Sequence, residues 1–488
     1  MSTMTQTPQK GSSGLDSWFE ITKRGSDMGR EIRGGIVTFI TMAYIVVLNP
    51  LIIGTVPDST GKFLGGGAAP NIPLVAAATA LLAGVLTIAM GVFGRMPIAL
   101  AAGLGLNGFV TYQLAAKGTW ENAMGLVVLE GLIITVLVLT GFRRAVFEAV
   151  PAGLRYAIGV GIGLFITLIG LVDAKIVQPG IPLSTLGSGG NMTTWPMFVF
   201  CFGLILTAIL VAKKMRGAIL VGIASSAVLA LIVEAAFHPM VTGSDGKQSP
   251  AWSLNVPTFS GKSVVATPDF GLLGNVNVFG AFSGQNMALA AGLAVFTLLL
   301  SDFFDTMGTV YGIAAEADLL DEDGNVPHLD KVLLVDSLAA AAGGFGGTSS
   351  NTSYIESASG VGDGARTGFA SVVTGALFLV ATFLSPLVGI IPHEAATPAL
   401  VIVGFLMLTQ IKKIDFNDYS IGIPAFLTMV LMPFTYSIAN GIGAGFISYV
   451  AIKAATGRSK EIKPLMWLVS IAFVVFFSSH LLSAWFLG

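Results

Sequence analysis

Two aspartates stand three residues apart inside a strongly apolar stretch. Asp302 and Asp305 lie in the sequence LLLSDFFDTMGT, within an apolar span predicted near residues 287–311, and their spacing places both on one helix face. Charged side chains at membrane depth are rare and commonly mark a substrate or ion path. Two carboxyl groups this close in a low dielectric do not ionise together easily, so one is expected to hold a proton near neutral pH. The alternative is a structural pair capped by neighbouring hydroxyls or backbone.

The positions of these aspartates suggest different roles. Asp302 is nearer the middle of the segment and is the better substrate ligand, whereas Asp305 is placed to orient the substrate or relay a proton. Phe303, between them, is a candidate stacking surface for a flat ligand, as are Phe304 and Tyr44. Ordinary packing is the alternative for each aromatic side chain.

A third acid, Glu356, lies in the polar stretch GGFGGTSSNTSYIESASGVGDG, residues 343–364. A lipid-facing helix cannot contain this stretch, because unsatisfied backbone groups and a carboxylate are costly in hydrocarbon. We predict a broken membrane segment that lines a solvated cavity, with a disordered loop as the alternative. The Glu356 carboxylate would accept hydrogen bonds from ring N–H and amino groups of a polar heterocycle, and would donate one when protonated.

The first half of the chain holds a matching polar break. GLGLNGFVTY at residues 103–112 occupies the place that TSSNTSYIES at residues 348–357 occupies in the second half, and Asn107 then falls opposite Asn351. Both amides offer a donor and an acceptor. Glycine-interrupted segments in matching positions of two inverted halves point to a transporter binding site. Chance similarity of glycine-rich apolar sequence is the alternative.

Other acids in apolar segments are predicted to be structural. Glu130, Asp336 and Glu234 are interpreted as closing helix–helix hydrogen bonds. Asp363, at the end of the second polar stretch, is interpreted as a helix cap. It also completes a GxGD sequence typical of intramembrane aspartyl proteases, for which Asp302 or Asp305 would supply the second aspartate.

The composition identifies the setting of these residues. The chain has 488 residues, of which 54% are hydrophobic and only 11% are charged, whereas soluble proteins have about 25% charged residues. This predicts an all-α polytopic protein in a lipid bilayer. The net charge of −2 gives no reason to expect a nucleic-acid partner. A single cysteine excludes an internal disulfide, and four scattered histidines lack metal-ligand spacing, so no metal is expected.

The apolar segments predict about fourteen spans. Lysines and arginines on every second connection place the N-terminal segment, residues 1–35, in the cytoplasm. Residues 239–286 are predicted to be an external linker between two halves of opposite orientation, and residues 464–486 are either an additional span or an interfacial hairpin. The predicted spans are 36–54, 73–94, 97–115, 122–142, 154–172, 195–212, 217–238, 287–311, 331–346, 348–363, 367–391, 396–411, 419–436 and 438–456.

Several stretches resemble the AzgA-like purine permeases of the nucleobase–cation symporter-2, or nucleobase–ascorbate transporter, superfamily. The likeness extends from about residue 30 to residue 453. The segments that carry it are TFITMAYIVVLNP, ALAAGLGLNGFVTY, SDFFDTMGT, SSNTSYIESASGV, GARTGFASVVTG and MPFTYSIANGIGAGFISY.

The resemblance implies fourteen segments in two inverted repeats of seven, with short strands in the broken third and tenth segments. It also implies a core domain (36–142 and 287–392), a gate domain (143–238 and 393–488) and a homodimer formed through the gate domain. By the same resemblance, Asp302, Glu356 and Asn107 bind substrate and Asp305 matches the second acid of the motif.

Together with this resemblance, these observations predict a plasma (inner) membrane importer of purine nucleobases by proton symport, and the resemblance implies that the substrates are adenine, guanine and hypoxanthine. No cofactor is expected, and the proton would be carried by Asp302, Asp305 or Glu356. Phe303 and Asn351 complete the predicted substrate site. The alternatives are a transporter of uracil, xanthine or an organic anion, a non-transporting receptor, and an intramembrane aspartyl protease. Three acids argue against an anion carrier, and a receptor gives no reason for two broken segments.

Overall fold

The protein is described by a computed structural model that covers residues 14–141, 150–180, 183–187, 193–242, 248–259, 264–283, 287–321 and 326–478. Nearly all regular structure in these ranges is helical. The helices of the first half are α1 Gly14–Phe19, α2 Met28–Met42, α3 Ile45–Ile53, α4 Ile72–Ala89, α5 Leu104–Phe109, α6 Trp120–Leu139, α7 Ala152–Asp173, α8 Trp195–Ala212 and α9 Ala218–Phe237. Helices α4 and α5 each continue into a π-helical turn, Met90–Gly94 and Val110–Leu114.

The second half of the chain is also mostly helical. Its helices are α10 Met287–Glu316, α11 Leu329–Phe345, α12 Ser357–Gly362, α13 Gly368–Ala381, α14 Ser385–Val388, α15 His393–Ala396, α16 Pro398–Leu408, α17 Tyr419–Phe434, α18 Ile438–Ala455 and α19 Pro464–Phe477. Ten helical segments of the described chain are long and apolar enough to cross a membrane, and α17 and α19 are shorter apolar helices.

These helices confirm the prediction of an all-α polytopic membrane protein. The predicted spans at 97–115 and 348–363 correspond to broken segments, each a short strand followed by a short helix. The count of fourteen stays a prediction. In the final apolar stretch, α19 ends at Phe477, and residues 479–486 lie outside the described residues.

Polar side chains determine where several helices begin. The Thr119 hydroxyl accepts a hydrogen bond from the backbone N–H of Asn122, and Thr194, Thr367, Asp418 and Ser437 cap their helices in the same way. An N-cap oxygen satisfies one of the backbone donors that a helix leaves unpaired at its first turn. In a membrane protein these caps also mark the ends of apolar segments.

The described residues contain six strands, which form three antiparallel pairs. β2 Val177–Pro179 pairs with β3 Ser184–Leu186, and β4 Met240–Thr242 pairs with β5 Gln248–Pro250. The third pair is different, because β1 Leu100–Ala102 and β6 Asn351–Ser353 come from opposite halves of the chain and are fully buried. This pair confirms the predicted strands in the two broken segments.

The helices pack in two groups. The first, here the strand-bearing bundle, contains α2 to α6 and α10 to α13 together with β1 and β6. The second, here the outer bundle, contains α7 to α9 and α16 to α19. Glycines allow close approach within the first bundle, where α4 and α13 cross at Gly84 and Gly375. A Cβ atom added to Gly84 would lie 2.9 Å from the Gly375 carbonyl oxygen.

The described parts of the linker, 239–242, 248–259 and 264–283, contact both bundles on one side of the molecule, here the linker side. Trp252 is buried, and its Nε1 donates a hydrogen bond to Glu234 of α9 at 2.7 Å. Further along, the backbone N–H of Gly274 donates to the carbonyl of Phe345 at the end of α11, at 2.9 Å. The segment predicted as a loop therefore contains the β4–β5 hairpin and a buried tryptophan.

Candidate functional site

The β1–β6 pair lies at the centre of the site. Leu100 pairs with Ser353, Ala101 with Thr352 and Ala102 with Asn351. The ladder extends at both ends, because the Gly103 N–H donates to the Ser350 carbonyl at 2.9 Å and the Tyr354 N–H donates to the Ala99 carbonyl at 3.0 Å. Non-helical backbone at membrane depth needs such partners in place of water.

Hydroxyl groups of neighbouring side chains satisfy backbone groups at the outer edges of these strands. The Thr87 hydroxyl bonds both the N–H and the carbonyl of Leu100, at 2.9 and 3.1 Å. The Ser357 hydroxyl accepts from the Ala99 N–H at 3.0 Å, and the Tyr354 hydroxyl donates to the Ala102 carbonyl at 2.5 Å. The broken segments are thus held rigidly by side chains of the same bundle.

Glu356 follows β6 by three residues and is partly buried. Its carboxylate accepts a hydrogen bond from the Tyr44 hydroxyl, and Tyr44 is only 1% exposed. The sequence suggested Tyr44 as a stacking surface, but in the structure its hydroxyl positions the glutamate. Two serines close to Glu356 in the sequence bond elsewhere: the Ser357 hydroxyl bonds Ala99, and the Ser353 hydroxyl bonds Asp336.

The two aspartates of α10 lie in different environments. Asp305 is exposed, and its carboxyl group is near enough to Glu356 and Asp336 for their charges to interact. Asp302 is 1% exposed. A spacing of three residues leaves side chains about 60° apart around a helix axis. The Asp305 carboxyl group therefore lies on the exposed side of α10, here the open face, which also carries Glu356, whereas the Asp302 carboxyl group lies in the interior of the bundle.

Asp302 belongs to a buried set of acids, here the rear carboxyl cluster, made of Glu130, Asp302 and Asp336. Both carboxylate oxygens of Asp302 and Oε1 of Glu130 have no hydrogen-bond partner among the described residues. Glu130 and Asp336 interact electrostatically with Asp302. From the sequence, Glu130 and Asp336 were interpreted as structural. The one feature of the sequence that pointed to a functional role was that each is an acidic residue within an apolar segment.

Asp336 is the best satisfied member of this cluster. It accepts hydrogen bonds from the hydroxyls of Thr306 and Ser353, both at 2.7 Å. Because the Thr306 proton is used on Asp336, the 2.8 Å contact between the Thr306 and Thr352 hydroxyls makes Thr352 the donor there. Thr352 therefore has no proton left for Asp302.

Asn107 is completely buried and is oriented by a residue that the sequence analysis missed. Its Nδ2 donates to Oδ1 of Asn49 at 2.7 Å, while its own Oδ1 has no partner in the described part of the chain. Asn49 in turn donates to the Thr79 hydroxyl at 2.9 Å and the Thr348 carbonyl at 3.3 Å. The available signal was an asparagine beside Pro50 in an otherwise apolar helix.

The two remaining predicted residues lie away from the open face. Asn351 is buried in β6, and its Nδ2 donates to the Thr348 hydroxyl at 3.0 Å and the Ser349 carbonyl at 3.3 Å. Phe303 is 4% exposed and packs with Met307 and Leu333. Both residues line the interior of the strand-bearing bundle. The structure therefore brings Asp305 and Glu356 together and places Asp302, Phe303 and Asn351 behind them.

A cavity of about 580 Å³ opens on the linker side between the two bundles. Aromatic and amide side chains line it, among them Tyr112, Gln113, Tyr436 and Asn440. Near it, the Tyr112 hydroxyl donates to the carboxylate of Asp173 at 3.4 Å, and the Tyr112 and Tyr436 rings meet edge to face at 5.4 Å. These contacts join the strand-bearing bundle to the outer bundle on the linker side.

An ion-pair network joins the bundles on the opposite side. The Asp363 carboxylate bonds Arg33 of α2 at 2.5 Å and also bonds Arg216, which lies just before α9. The sequence analysis interpreted Asp363 as a helix cap. Its pairing with two arginines instead connects both bundles and fully engages the carboxylate.

Two broken segments whose strands meet inside a helical bundle, with acids beside them, define a membrane transporter. The chain belongs to a family of permeases: the family model described as "Permease family" matches residues 29–444. The protein is therefore a multi-pass membrane permease and not an enzyme. This finding removes the intramembrane protease alternative.

Similar proteins agree with this assignment. The chain is 37% identical to the guanine/hypoxanthine permease PbuG of Bacillus subtilis, over 95% of this chain and 99% of that protein. It is 34% identical to the adenine permease AdeP of Escherichia coli, over 98% of this chain and 100% of that protein. The fold is similar to the transmembrane domain of the cyanobacterial bicarbonate transporter BicA, with a TM-score of 0.58 and 13% identity, covering 85% of this chain and 96% of that one.

Proposed function

We propose that this permease imports the purine nucleobases adenine, guanine and hypoxanthine by proton symport. The names of PbuG and AdeP, which align with nearly the whole chain at 37% and 34% identity, support a purine substrate. The observation that carries the proposal is the Glu356 carboxylate, held by Tyr44 next to the strand pair with Asp305 nearby.

The chemistry of this face suits a purine. Ring N–H and exocyclic amino groups donate hydrogen bonds, and an ionised carboxylate is an acceptor with two oxygens. Glu356 is the proposed main hydrogen-bond acceptor for the purine, and Asp305 accepts a hydrogen bond from a second polar edge of the ring. The unpartnered Oδ1 of buried Asn107 offers a further acceptor once the segment rearranges. Asp302, Phe303 and Asn351 support the site from behind in this conformation.

The same acids provide for proton coupling. Asp302, Asp305 and Glu356 are the groups able to take up a proton beside the substrate. Neutralising one carboxylate reduces the cost of moving the loaded site through a low-dielectric interior. Substrate and proton would therefore move together.

The two bundles provide the moving parts. We assign the strand-bearing bundle as the core and the outer bundle as the gate, as the predicted domain boundaries require. The Tyr112–Asp173 contact on the linker side and the Arg216–Asp363 pair on the opposite side would open in alternation. Positively charged connections support a cytoplasmic N-terminus and an external linker side in the plasma membrane, so that the 580 Å³ cavity is the entry path. The homodimer stays a prediction.

Uptake by the Glu356→Gln variant tests this proposal. Glutamine keeps the size of the side chain but removes its charge, so the variant should reach the membrane and show no uptake of labelled hypoxanthine. Glu316→Gln is the matched control, because Glu316 is exposed at the end of α10 and should not affect transport. Normal uptake by Glu356→Gln would refute the assignment. Competition by uracil or xanthine, but not by adenine or guanine, would favour the alternative nucleobases as substrates.

A further inference from the structure

We propose that Glu130 and Asp302 form a carboxyl pair that shares the coupling proton, separate from the Asp305–Glu356 face where substrate binds. This inference rests on the proposed proton symport and adds a residue to it. The pair would bind one proton between its oxygens and release it when the site faces the other side of the membrane.

The first argument is the unpartnered state of the pair. Asp302 is 1% exposed and Glu130 is 0% exposed, yet three of their four carboxylate oxygens have no hydrogen-bond partner among the described residues. The fourth, Oε2 of Glu130, accepts from the Ser350 hydroxyl at 3.3 Å. Burying an ionised carboxylate without donors is very costly. A proton between the two groups would supply the missing donor.

The second argument concerns charge. The elements packed around the pair bring acids and hydroxyls: Asp305 from α10, Asp336 from α11, and Ser350 and Thr352 from the β6 segment. No ion pair of the described residues includes Glu130 or Asp302. Two close carboxyl groups without a cation do not both ionise, and they titrate as a unit.

The third argument is that Asp336, the neighbouring acid, is stabilised in its ionised form whereas the pair is not. Asp336 already accepts two hydroxyl hydrogen bonds, which stabilise a carboxylate and leave it little need of a proton. Its negative charge next to the pair favours keeping the shared proton. Losing that proton would leave like charges on α6 and α10, which pack against each other. Because Ser350, next to β6, bonds Glu130, their repulsion would link protonation to the arrangement of the second broken segment.

The test uses purified protein in liposomes, with the membrane potential clamped at zero by valinomycin and potassium. For one proton per purine, an inward gradient of about one pH unit supports at most about tenfold accumulation of hypoxanthine, since one unit corresponds to about 1.4 kcal/mol. Exchange of labelled for unlabelled purine, without a gradient, measures binding and movement alone.

We expect Glu130→Gln to retain exchange and to lose accumulation, so that the tenfold ratio falls to about one. Asp302→Asn should likewise lose accumulation, and the accumulation ratio of the double variant should be no lower than that of either single variant, because both changes remove one shared proton. Glu234→Gln is the control, since Glu234 bonds Trp252 in the outer bundle and should leave accumulation unchanged.

Three outcomes would overturn the proposal: accumulation by Glu130→Gln equal to that of the unmodified protein, loss of exchange in that variant, or accumulation driven by a sodium gradient in place of the pH gradient. Failure of the unmodified protein to exchange any purine would instead refute the proposed function. If Glu130→Gln does not fold, Ser350→Ala removes the hydroxyl that donates to Glu130 in the described part of the chain. It should shift the pH dependence of accumulation, and an unshifted profile would overturn the proposal.

Discussion

The Tyr44 hydroxyl donates a hydrogen bond to the carboxylate of Glu356, and this bond joins the first membrane segment to the second broken segment. Tyr44 lies between α2 and α3, where the first segment is interrupted, and it is almost fully buried. A phenol in this position holds the carboxylate in one orientation before substrate arrives. Preorganised groups lose less freedom on binding.

The Tyr44→Phe variant should therefore bind purine more weakly. A hydrogen bond to a charged group contributes about 1.5–3 kcal/mol, so losing it should raise KM by at most roughly 10- to 150-fold. Tyr419→Phe is the control, because Tyr419 is 74% exposed. An unchanged KM for hypoxanthine in Tyr44→Phe would show that the phenol does not position Glu356.

Asn49 is expected to be needed for the orientation of Asn107. In Asn49→Ala the Asn107 amide loses its acceptor while fully buried, and an unsatisfied buried donor costs about 1–3 kcal/mol. We expect a lower melting temperature in detergent together with weaker uptake. The exposed Asn417→Ala serves as the comparison. Equal melting temperatures for the two variants would contradict this account.

The crossing of α4 and α13 should not tolerate a methyl group at Gly84. The added Cβ would lie 2.7 Å from a Leu379 methyl carbon and 2.9 Å from the Gly375 carbonyl oxygen. Overpacking of this kind costs about 1–3 kcal/mol. Gly292→Ala in α10 places its Cβ in open space, and it should not lower the melting temperature. Equal stability of Gly84→Ala and Gly292→Ala would mean that the helices adjust freely.

Asp418, at the start of α17, gives a prediction for pH. Hydrogen bonds from Ser420 outweigh burial and, with Arg458, lower the pKa of Asp418 from its ordinary value of 3.8 to about 2. A carboxyl group with a lowered pKa stabilises the folded state above its unfolded pKa, and this contribution is lost as pH falls through the folded value. Asp418→Asn should therefore reduce the melting temperature at pH 7, and most of this difference should be lost between about pH 4 and pH 2.

The comparison for this variant is Asp415→Asn, a change at an exposed aspartate three residues earlier. It should leave the melting temperature unchanged across the same range. A melting-temperature difference for Asp418→Asn that is as large at pH 2 as at pH 7 would mean that the carboxylate charge is not its cause.

The elements of the fold were largely predictable, because membrane spans follow from apolar length and the two breaks follow from polar residues at membrane depth. The strands at the breaks were implied only by the resemblance to the purine permeases. The β1–β6 pair confirms the breaks at 97–115 and 348–363. Sequence could not show the register of that pair, since three-residue strands rich in small residues carry no pattern of their own. It also could not show that the linker carries a buried tryptophan.

The candidate site was only partly predictable for a geometric reason. The acids Asp302, Asp305 and Glu356 stand out in apolar segments, but their rotation around the helix axis decides which of them meet. The partners Tyr44 and Asn49 come from another segment, and no spacing links them to Glu356 or Asn107. Such contacts between distant segments appear only once the bundle is assembled.

The most direct test of the central claim is uptake of labelled hypoxanthine by cells that lack their own purine permeases, with and without a protonophore. We predict that adenine and guanine compete with this uptake and that the protonophore abolishes it. The Glu356→Gln variant should show no uptake, and the Glu316→Gln variant should show normal uptake. Purine uptake that survives the protonophore and requires sodium would contradict proton coupling. No uptake of any purine by protein present in the membrane would contradict the proposed function.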